Sequence, residues 1–177
     1  MTTGITLLDE PHLMALCGHL RRHGAESGRD GDVIFRPRSA DDPLDEELTI
    51  SRHRTGWQRP LTEALWLRTW AIVNDGTICG HLDLQGGRLP TELHRATLGM
   101  GIERGARGKG HGRALLEHAI KWSRRAELDW LDLGVFAHNT GARKLYASVG
   151  FVEVGIVRDQ FRVEGMQIDD VVMVRKL

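Results

Sequence analysis

The sequence predicts a mixed α/β fold in which one twisted, mostly antiparallel sheet is flanked by helices and contains a single parallel junction. Two observations predict the antiparallel part: three apolar stretches in a row joined by short breaks, and two closing apolar stretches at the C-terminus. A third observation predicts the junction, because a strand-like stretch leads through a glycine-rich loop into a helix and then a further strand. Such a crossover places the two strands parallel to each other.

The first seventy residues contain one predicted strand and two predicted helices. Residues 3–8 read as a short strand, and Asp9 can cap a helix that carries apolar residues at helical spacing until Gly24. A second helix is predicted over residues 42–54, within a polar and irregular segment at 25–60. Three histidines follow one side of the first helix, and we expect them to be solvated: His12, His19 and His23.

The middle of the chain supplies the meander and the crossover. Residues 65–73 and 77–84 form a predicted hairpin, and residues 94–103 form the next strand. An amphipathic helix is predicted over 113–126, followed by a strand at 130–136.

The last forty residues add one helix and two strands. Asn139 can cap a helix that ends at Gly150. Strands are predicted at 151–157 and 170–175, separated by a segment that turns at Glu164-Gly165. The complete order is β-α-α-β-β-β-α-β-α-β-β.

Composition excludes several classes of protein. Lys plus Arg equals Asp plus Glu, 24 each, so no net charge attracts the chain to nucleic acid or to an anionic membrane. The sequence contains no long apolar run typical of a membrane span and no secretory leader pattern, so a cytoplasmic protein is expected. The two cysteines, Cys17 and Cys79, are expected to be free thiols, and no metal site is predicted.

The stretch 98–112, LGMGIERGARGKGHG, carries the clearest chemical signal. Glycines next to a helix N-terminus can turn several amides toward one anion, and this spacing suits a pyrophosphate. The spacing is neither that of a P-loop nor that of a dinucleotide fingerprint. Glu103 lies on the glycine face of the strand entering this loop and is the base candidate, with His81, His94 or a water molecule as alternatives.

Two motifs in this order resemble the GNAT superfamily of N-acetyltransferases. Arg107, Gly110 and Gly112 match the acetyl-CoA motif of that family, and the segment from Val135 through Asn139 and Tyr146 to Phe151 matches a second family motif. The resemblance covers about residues 72–177 and includes features of a bacterial branch that acetylates small molecules or amino acids.

The resemblance implies a GNAT-like sheet that splays at the cofactor site, and it implies acetyl-CoA as the cofactor. The backbone of residues 100–102 would pair with the pantetheine arm, the amides of 107–113 would hold the pyrophosphate, and Tyr146 would be the general acid for the departing thiolate. The residues predicted to bind the cofactor are Met100, Gly101, Ile102, Arg107, Gly108, Lys109, Gly110, His111, Gly112, Arg113, Asn139, Ala142 and Tyr146.

We therefore expect one N-acetyltransferase domain over residues 1–177, with the cofactor-binding core at about 72–157 and acceptor-side elements at about 9–70. The predicted reaction is direct acetyl transfer from acetyl-CoA to a primary amine of a small molecule or amino acid. Alternatives are a protein N-terminal or lysine acetyltransferase, a non-catalytic acyl-CoA-binding regulatory module, and a nucleotide-phosphate binder. The predicted partner is a small-molecule amine, and a homodimer is left open.

Overall fold

A computed structural model describes residues 3–177 and arranges them around one seven-stranded sheet with strand order β1-β2-β3-β4-β5-β7-β6. The strands are β1 (Thr3–Leu7), β2 (Leu67–Asn74), β3 (Thr77–Gly86), β4 (Arg95–Ile102), β5 (Trp130–Phe136), β6 (Val152–Val163) and β7 (Met166–Lys176). The helices are α1 (Leu13–Ala25), α2 (Glu46–Gln58), α3 (His111–Arg125) and α4 (Thr140–Ser148). The predicted order and the mixed, mostly antiparallel sheet are confirmed.

Two predicted elements have other bounds in the structure. Helix α2 covers Glu46–Gln58 instead of residues 42–54, and it begins at Glu46 because Asp45 is its N-cap and accepts a hydrogen bond from the amide of Leu48 at 2.9 Å. Residues 158–169, predicted as an irregular connection, are mostly strand, and only Glu164-Gly165 form the turn between β6 and β7. This part of the hairpin projects as a ribbon with both faces of β6 exposed, so its sequence lacks the alternation of a half-buried strand.

The parallel junction between β4 and β5 is short. Only residues 95–97 of β4 pair with residues 130–132 of β5, whereas β4 stays paired with β3, and β5 with β7, along their lengths. Beyond Thr97 the two strands separate. Residues 98–102 of β4 therefore present backbone groups to an open gap in the middle of the sheet.

The sheet is covered on both faces. Leu115, Leu116 and Ala119 of α3 pack into the main core with apolar residues of β2–β5 and β7. On the opposite face, Leu16 of α1 packs against residues of β2 and β3. Burial of these side chains fixes the two helix layers against the sheet, and the gap between β4 and β5 opens between those layers.

Several expectations about side chains can be settled here. Both cysteines are free thiols, as predicted. His19 is completely buried, so the expectation that it is solvated was wrong. None of the helices described over residues 3–177 is long and apolar enough to cross a membrane, and no group of three or more metal-ligating side chains occurs in that same range.

Candidate active site

A cleft of about 770 Å³ opens where β4 and β5 separate. One part of its wall, which we call the loop half, is formed by residues within 98–113 and 139–146. The other part, which we call the aromatic half, includes residues from the end of α1, from the α1–α2 connection, from β5 and from the β6–β7 hairpin. Its lining residues are His23, Asp32, Val33, Phe35, Pro37, Gly134, Val135, Phe136, Phe161 and Asp170.

The loop half contains a cradle of free amides. Gly108 and Gly110 have φ angles of +72° and +83°, a backbone conformation that glycine adopts without strain. Helix α3 begins at once, and no side chain caps its N-terminus. Among the described residues, no acceptor binds the amides of residues 108–113, so these groups and the positive end of the helix dipole are available to an anion.

Two arginines of this loop do not belong to the cradle. The Arg107 guanidinium contacts Glu26 at 2.8 Å and Asp32 at 2.7 Å, and its own amide donates to the Arg104 carbonyl. Arg104 pairs with Asp32 at 3.0 Å and with Asp30 at 2.9 Å. These ion pairs hold the segment after α1 against the loop. The positive charges of Arg104 and Arg107 are therefore largely neutralised by carboxylates of the protein itself.

Helix α4 forms the remaining wall of the loop half. Asn139 caps it as predicted, because its Oδ1 accepts a hydrogen bond from the amide of Ala142 at 3.2 Å. Tyr146 lies one turn further along, buried against Phe151 with ring centroids 5.9 Å apart. Within residues 3–177 its hydroxyl has no hydrogen-bond partner, yet the oxygen is not completely buried. Because Tyr146 lines the cleft, the hydroxyl faces the cleft.

Comparison with known proteins agrees with this geometry. Residues 38–151 match the family model described as the acetyltransferase (GNAT) family. The chain belongs to the GNAT family. It is 27% identical over 123 residues to the L-amino acid N-acetyltransferase AaaT of Escherichia coli strain K12, an alignment that covers 67% of this chain and 74% of that protein.

Solved structures show the same GNAT fold. An acetyltransferase of the GNAT family from Streptococcus pneumoniae superposes with a TM-score of 0.84 at 22% identity, covering 99% of each chain. The yncA protein of Salmonella typhimurium, a putative acetyltransferase described with its cofactor acetyl-CoA, has a TM-score of 0.80 at 16% identity, covering 100% of this chain and 95% of that one. As a GNAT protein, this chain is an acetyl-CoA-dependent N-acetyltransferase.

The predicted cofactor contacts largely meet in one place. All of them line the cleft except Lys109, whose Nζ donates to the Gly105 carbonyl at 2.7 Å, outside the cleft. The residues fit acetyl-CoA on two observations: the unpaired amide cradle suits a pyrophosphate, and the unpaired edge of β4 at residues 98–102 suits an extended amide-bearing arm. Arg107 lines the cleft, but its guanidinium and amide are occupied by protein groups.

Glu103 does not line the cleft. Its carboxylate pairs with Arg22 at 2.9 Å and accepts a hydrogen bond from His19 Nδ1 at 2.7 Å. His19 Nε2 in turn lies 2.8 Å from His81 Nδ1. We call this series of Glu103, His19 and His81 the histidine relay. Of the other base candidates, His94 precedes β4 as an exposed residue outside the cleft.

The Glu103 carboxylate at one end of the relay determines which nitrogen atoms of the two histidines donate and which accept. An ionised carboxylate only accepts, so His19 Nδ1 donates to Glu103. Burial, followed by the nearby His81 and Arg22, lowers the pKa of His19 to about 3, so the ring is neutral and its Nε2 accepts from His81 Nδ1. His81 Nε2 is then left as an acceptor. Burial also lowers the pKa of His81.

Gly101 brings the relay to the edge of the cleft. A Cβ added there would lie 2.9 Å from His81 Cε1 and 2.5 Å from His23 Cε1, so only glycine lets both rings rest on β4. His23 stacks on Phe35 with centroids 4.6 Å apart. Burial, followed by the neighbouring rings of His81 and His19 and by Arg107 and Arg36, lowers the pKa of His23 to about 3. It is therefore a neutral imidazole at the cleft, not the solvated residue that the helix pattern predicted.

Sequence reasoning missed most of the aromatic half. Phe35 lies within residues 9–70, where acceptor-side elements were expected, but no pattern singled it out; Phe161 lies in a segment that gave no functional signal, and Asp170 was assigned only to a closing strand. These residues are separated from each other by up to 135 positions in the sequence. Only the pairing of β5 with β7 and the path of the α1–α2 connection bring them together.

Proposed function

We propose that this enzyme transfers the acetyl group of acetyl-CoA directly to the primary amine of a small molecule bound in the aromatic half of the cleft. The observation that carries this proposal is the single continuous cleft, which joins the amide cradle, the Tyr146 hydroxyl and the aromatic half. Binding both reactants in one cleft increases the reaction rate strongly, since effective molarities for well-oriented groups reach about 10⁵ M.

In this proposal the loop half holds the cofactor. The amides of residues 108–113 bind the pyrophosphate, the free edge of residues 100–102 pairs with the pantetheine arm, and Asn139 and Ala142 line the arm from α4. Residues at about 72–157 thus form the cofactor-binding core, and residues at about 9–70 supply part of the acceptor side. The bound cofactor supplies a thioester, the acyl donor of the reaction.

Tyr146 acts at the leaving sulfur. Burial raises the pKa of Tyr146 to about 12, so the phenol stays protonated at every working pH. Full transfer of its proton to an ordinary thiolate, with a conjugate acid pKa of about 8.5, would cost about 5 kcal/mol. The phenol therefore acts mainly by donating a strong hydrogen bond as negative charge develops on sulfur.

Glu103 acts through the relay and not by direct contact. His81 lies behind Gly101 and does not itself line the cleft, so a water molecule would take a proton from the amine and give one to His81 Nε2, while His81 Nδ1 passes its proton to His19 Nε2 and His19 Nδ1 passes its own to Glu103. Each ring stays neutral overall, which is consistent with pKa values lowered by burial. The net result is that the Glu103 carboxylate, beside Arg22, gains a proton and becomes neutral.

Steady-state acetylation of a panel of small primary amines, followed by release of free coenzyme A thiol, tests the proposal. We expect saturable turnover with at least one class of amine and acetyl-CoA binding measurable by calorimetry. Intact-mass analysis of candidate proteins after incubation distinguishes an N-terminal or lysine acceptor. Acetyl-CoA binding without turnover of any small amine would contradict the proposed acceptor class.

A further inference from the structure

The aromatic half contains one charge that the protein leaves uncompensated. Asp170 of β7 pairs in register with Phe136 of β5, and its carboxylate rests over Gly134: a Cβ added to that glycine would lie 2.4 Å from Asp170 Oδ2. Pairing of β5 with β4 ends at Asp132. The Asp170 carboxylate therefore lies over the part of β5 that has already separated from β4.

No group in the described part of the chain balances this carboxylate. Over residues 3–177, no side chain or amide donates a hydrogen bond to the Asp170 carboxylate, and no basic group forms an ion pair with it. Burial raises the pKa of Asp170, and nothing nearby lowers it again. Asp32, the other carboxylate of the cleft, differs: burial alone would raise its pKa, but hydrogen bonds from Arg107 and Arg104 lower it. A half-buried carboxylate without a partner favours a cation.

The walls around Asp170 suit an organic cation. Phe136 and Phe161 lie with ring centroids 5.3 Å apart, and Phe35 lines the same half. Aromatic faces attract ammonium groups, and their apolar surface accommodates a hydrocarbon body. An aliphatic amine arrives largely as the ammonium ion, because its pKa is about 10.

The same half offers nothing to a carboxylate. The basic residues that line the cleft are Arg107 and Arg113, apart from the histidines. Arg107 is committed to Glu26 and Asp32, and Arg113 lies at the start of α3, where it contacts Glu117 and Ser148. His23 is neutral. A carboxylate on the carbon that bears the amine would therefore approach Asp170 without a cation between them.

We propose that Asp170 receives the ammonium group of the acceptor, and that the acceptor is a primary amine with an apolar body and no carboxylate on the carbon that bears the nitrogen. This inference rests on the proposed function, since it names the acceptor class of the same site. The proposed acceptor class differs from that of an enzyme that acetylates free amino acids, because those carry a carboxylate on the carbon that bears the nitrogen.

Matched acceptors test the inference. One set is L-phenylalanine, L-phenylalaninamide and 2-phenylethylamine, and a second set is L-leucine, L-leucinamide and 3-methylbutylamine. We expect kcat/KM for the amides and amines to exceed that for the free amino acids by at least about tenfold. The reason is that the carboxylate of a free amino acid would lie a few ångströms from Asp170, and the repulsion between two like charges at that distance is strengthened by partial burial. Coenzyme A release measures all six rates.

Variants at position 170 assign the effect to the carboxylate. Asp170→Asn should lower kcat/KM for the amides and amines by about tenfold and should largely remove the preference over the free amino acids. Asp170→Glu should retain the preference. Asp169→Asn is the matched control, because its carboxylate contacts Arg158 and the amide of Asp159 on the exposed ribbon. Calorimetric binding of acetyl-CoA should be unchanged in all three variants.

The outcomes are distinguishable. Equal use of a free amino acid and its amide, or an unchanged preference in Asp170→Asn, overturns the inference and leaves acetylation of small amines standing. If wild-type protein binds acetyl-CoA but none of the six compounds releases coenzyme A, both the inference and the proposed acceptor class are overturned.

Discussion

The two halves of the cleft are built in different ways. The loop half comes from two short stretches of sequence, 98–113 and 139–146, and its working groups are mainly backbone amides and one phenol. The aromatic half draws on the α1–α2 connection, β5 and the β6–β7 hairpin, and its working groups are side chains. A backbone site needs only a particular local conformation, whereas a side-chain site needs distant segments to meet.

In the proposed function the loop half recognises the cofactor and the aromatic half the acceptor, and the difference in construction agrees with that division. The cofactor is invariant, and a pyrophosphate can be held by amides that any sequence with the right glycines provides. The acceptor is specific to the enzyme, and side chains on loops and on an exposed hairpin can change without altering the sheet. The histidine relay reaches β4 between the halves, since the His81 ring rests on the backbone of Gly101.

The largest effect is expected from the phenol of the loop half. Tyr146→Phe removes one oxygen atom and keeps the packing against Phe151, so we expect kcat to fall about 100-fold, the usual loss when one hydrogen-bond donor to developing negative charge is removed. Acetyl-CoA affinity measured by calorimetry should change little. An unchanged kcat would remove Tyr146 from the reaction and leave it as a core residue.

A smaller effect is expected in the amide cradle. Gly110→Ala places a Cβ on a residue with φ +83°, which costs about 1–2 kcal/mol in backbone strain and should lower acetyl-CoA affinity about tenfold. Lys109→Ala is the matched control, because the ammonium of Lys109 binds the Gly105 carbonyl and lies outside the cleft. Equal losses of affinity in the two variants would indicate that loop charge, and not the amide geometry, holds the cofactor.

The smallest effect is expected at the end of the relay. Glu103→Gln keeps a hydrogen-bond acceptor for His19 but removes the carboxylate that takes up the proton, so kcat near neutral pH should fall about fivefold. The loss should shrink as the pH rises past about 10, where most of the amine is unprotonated before it binds. A pH–rate profile identical to that of the wild type would exclude Glu103 from proton transfer.

The same variant, Glu103→Gln, also removes the partly exposed ion pair between Glu103 and Arg22. This loss should lower the free energy of unfolding by at most about 1 kcal/mol.

The sequence predicted the local backbone of the loop half for a physical reason. Glycines next to an amphipathic helix determine backbone conformation locally, so Gly108, Gly110 and the start of α3 could be assigned without knowledge of the fold. Tyr146 was predicted as a site residue through its place in a second local motif. The sequence could not show that the side chains of Arg104 and Arg107 are paired within the protein, because their carboxylate partners lie some eighty residues away.

The aromatic half shows the opposite case. His19 and His23 follow a helical spacing that also fits a solvated face, and nothing local indicates that Glu103 and His81 lie opposite them. Asp170 is one acidic residue in an apolar strand, and its significance depends on Gly134 in a different strand.

The sequence by itself determined the order of elements, the antiparallel meander, the crossover and the glycine loop, since each depends on periodicity or backbone preference within a few residues. Only the tertiary structure decided which charges are neutralised, which histidines are buried, and where the sheet opens. Those properties depend on contacts between residues far apart in the chain. Burial and pairing, which set the chemistry of each side chain, exist only after the elements have packed together.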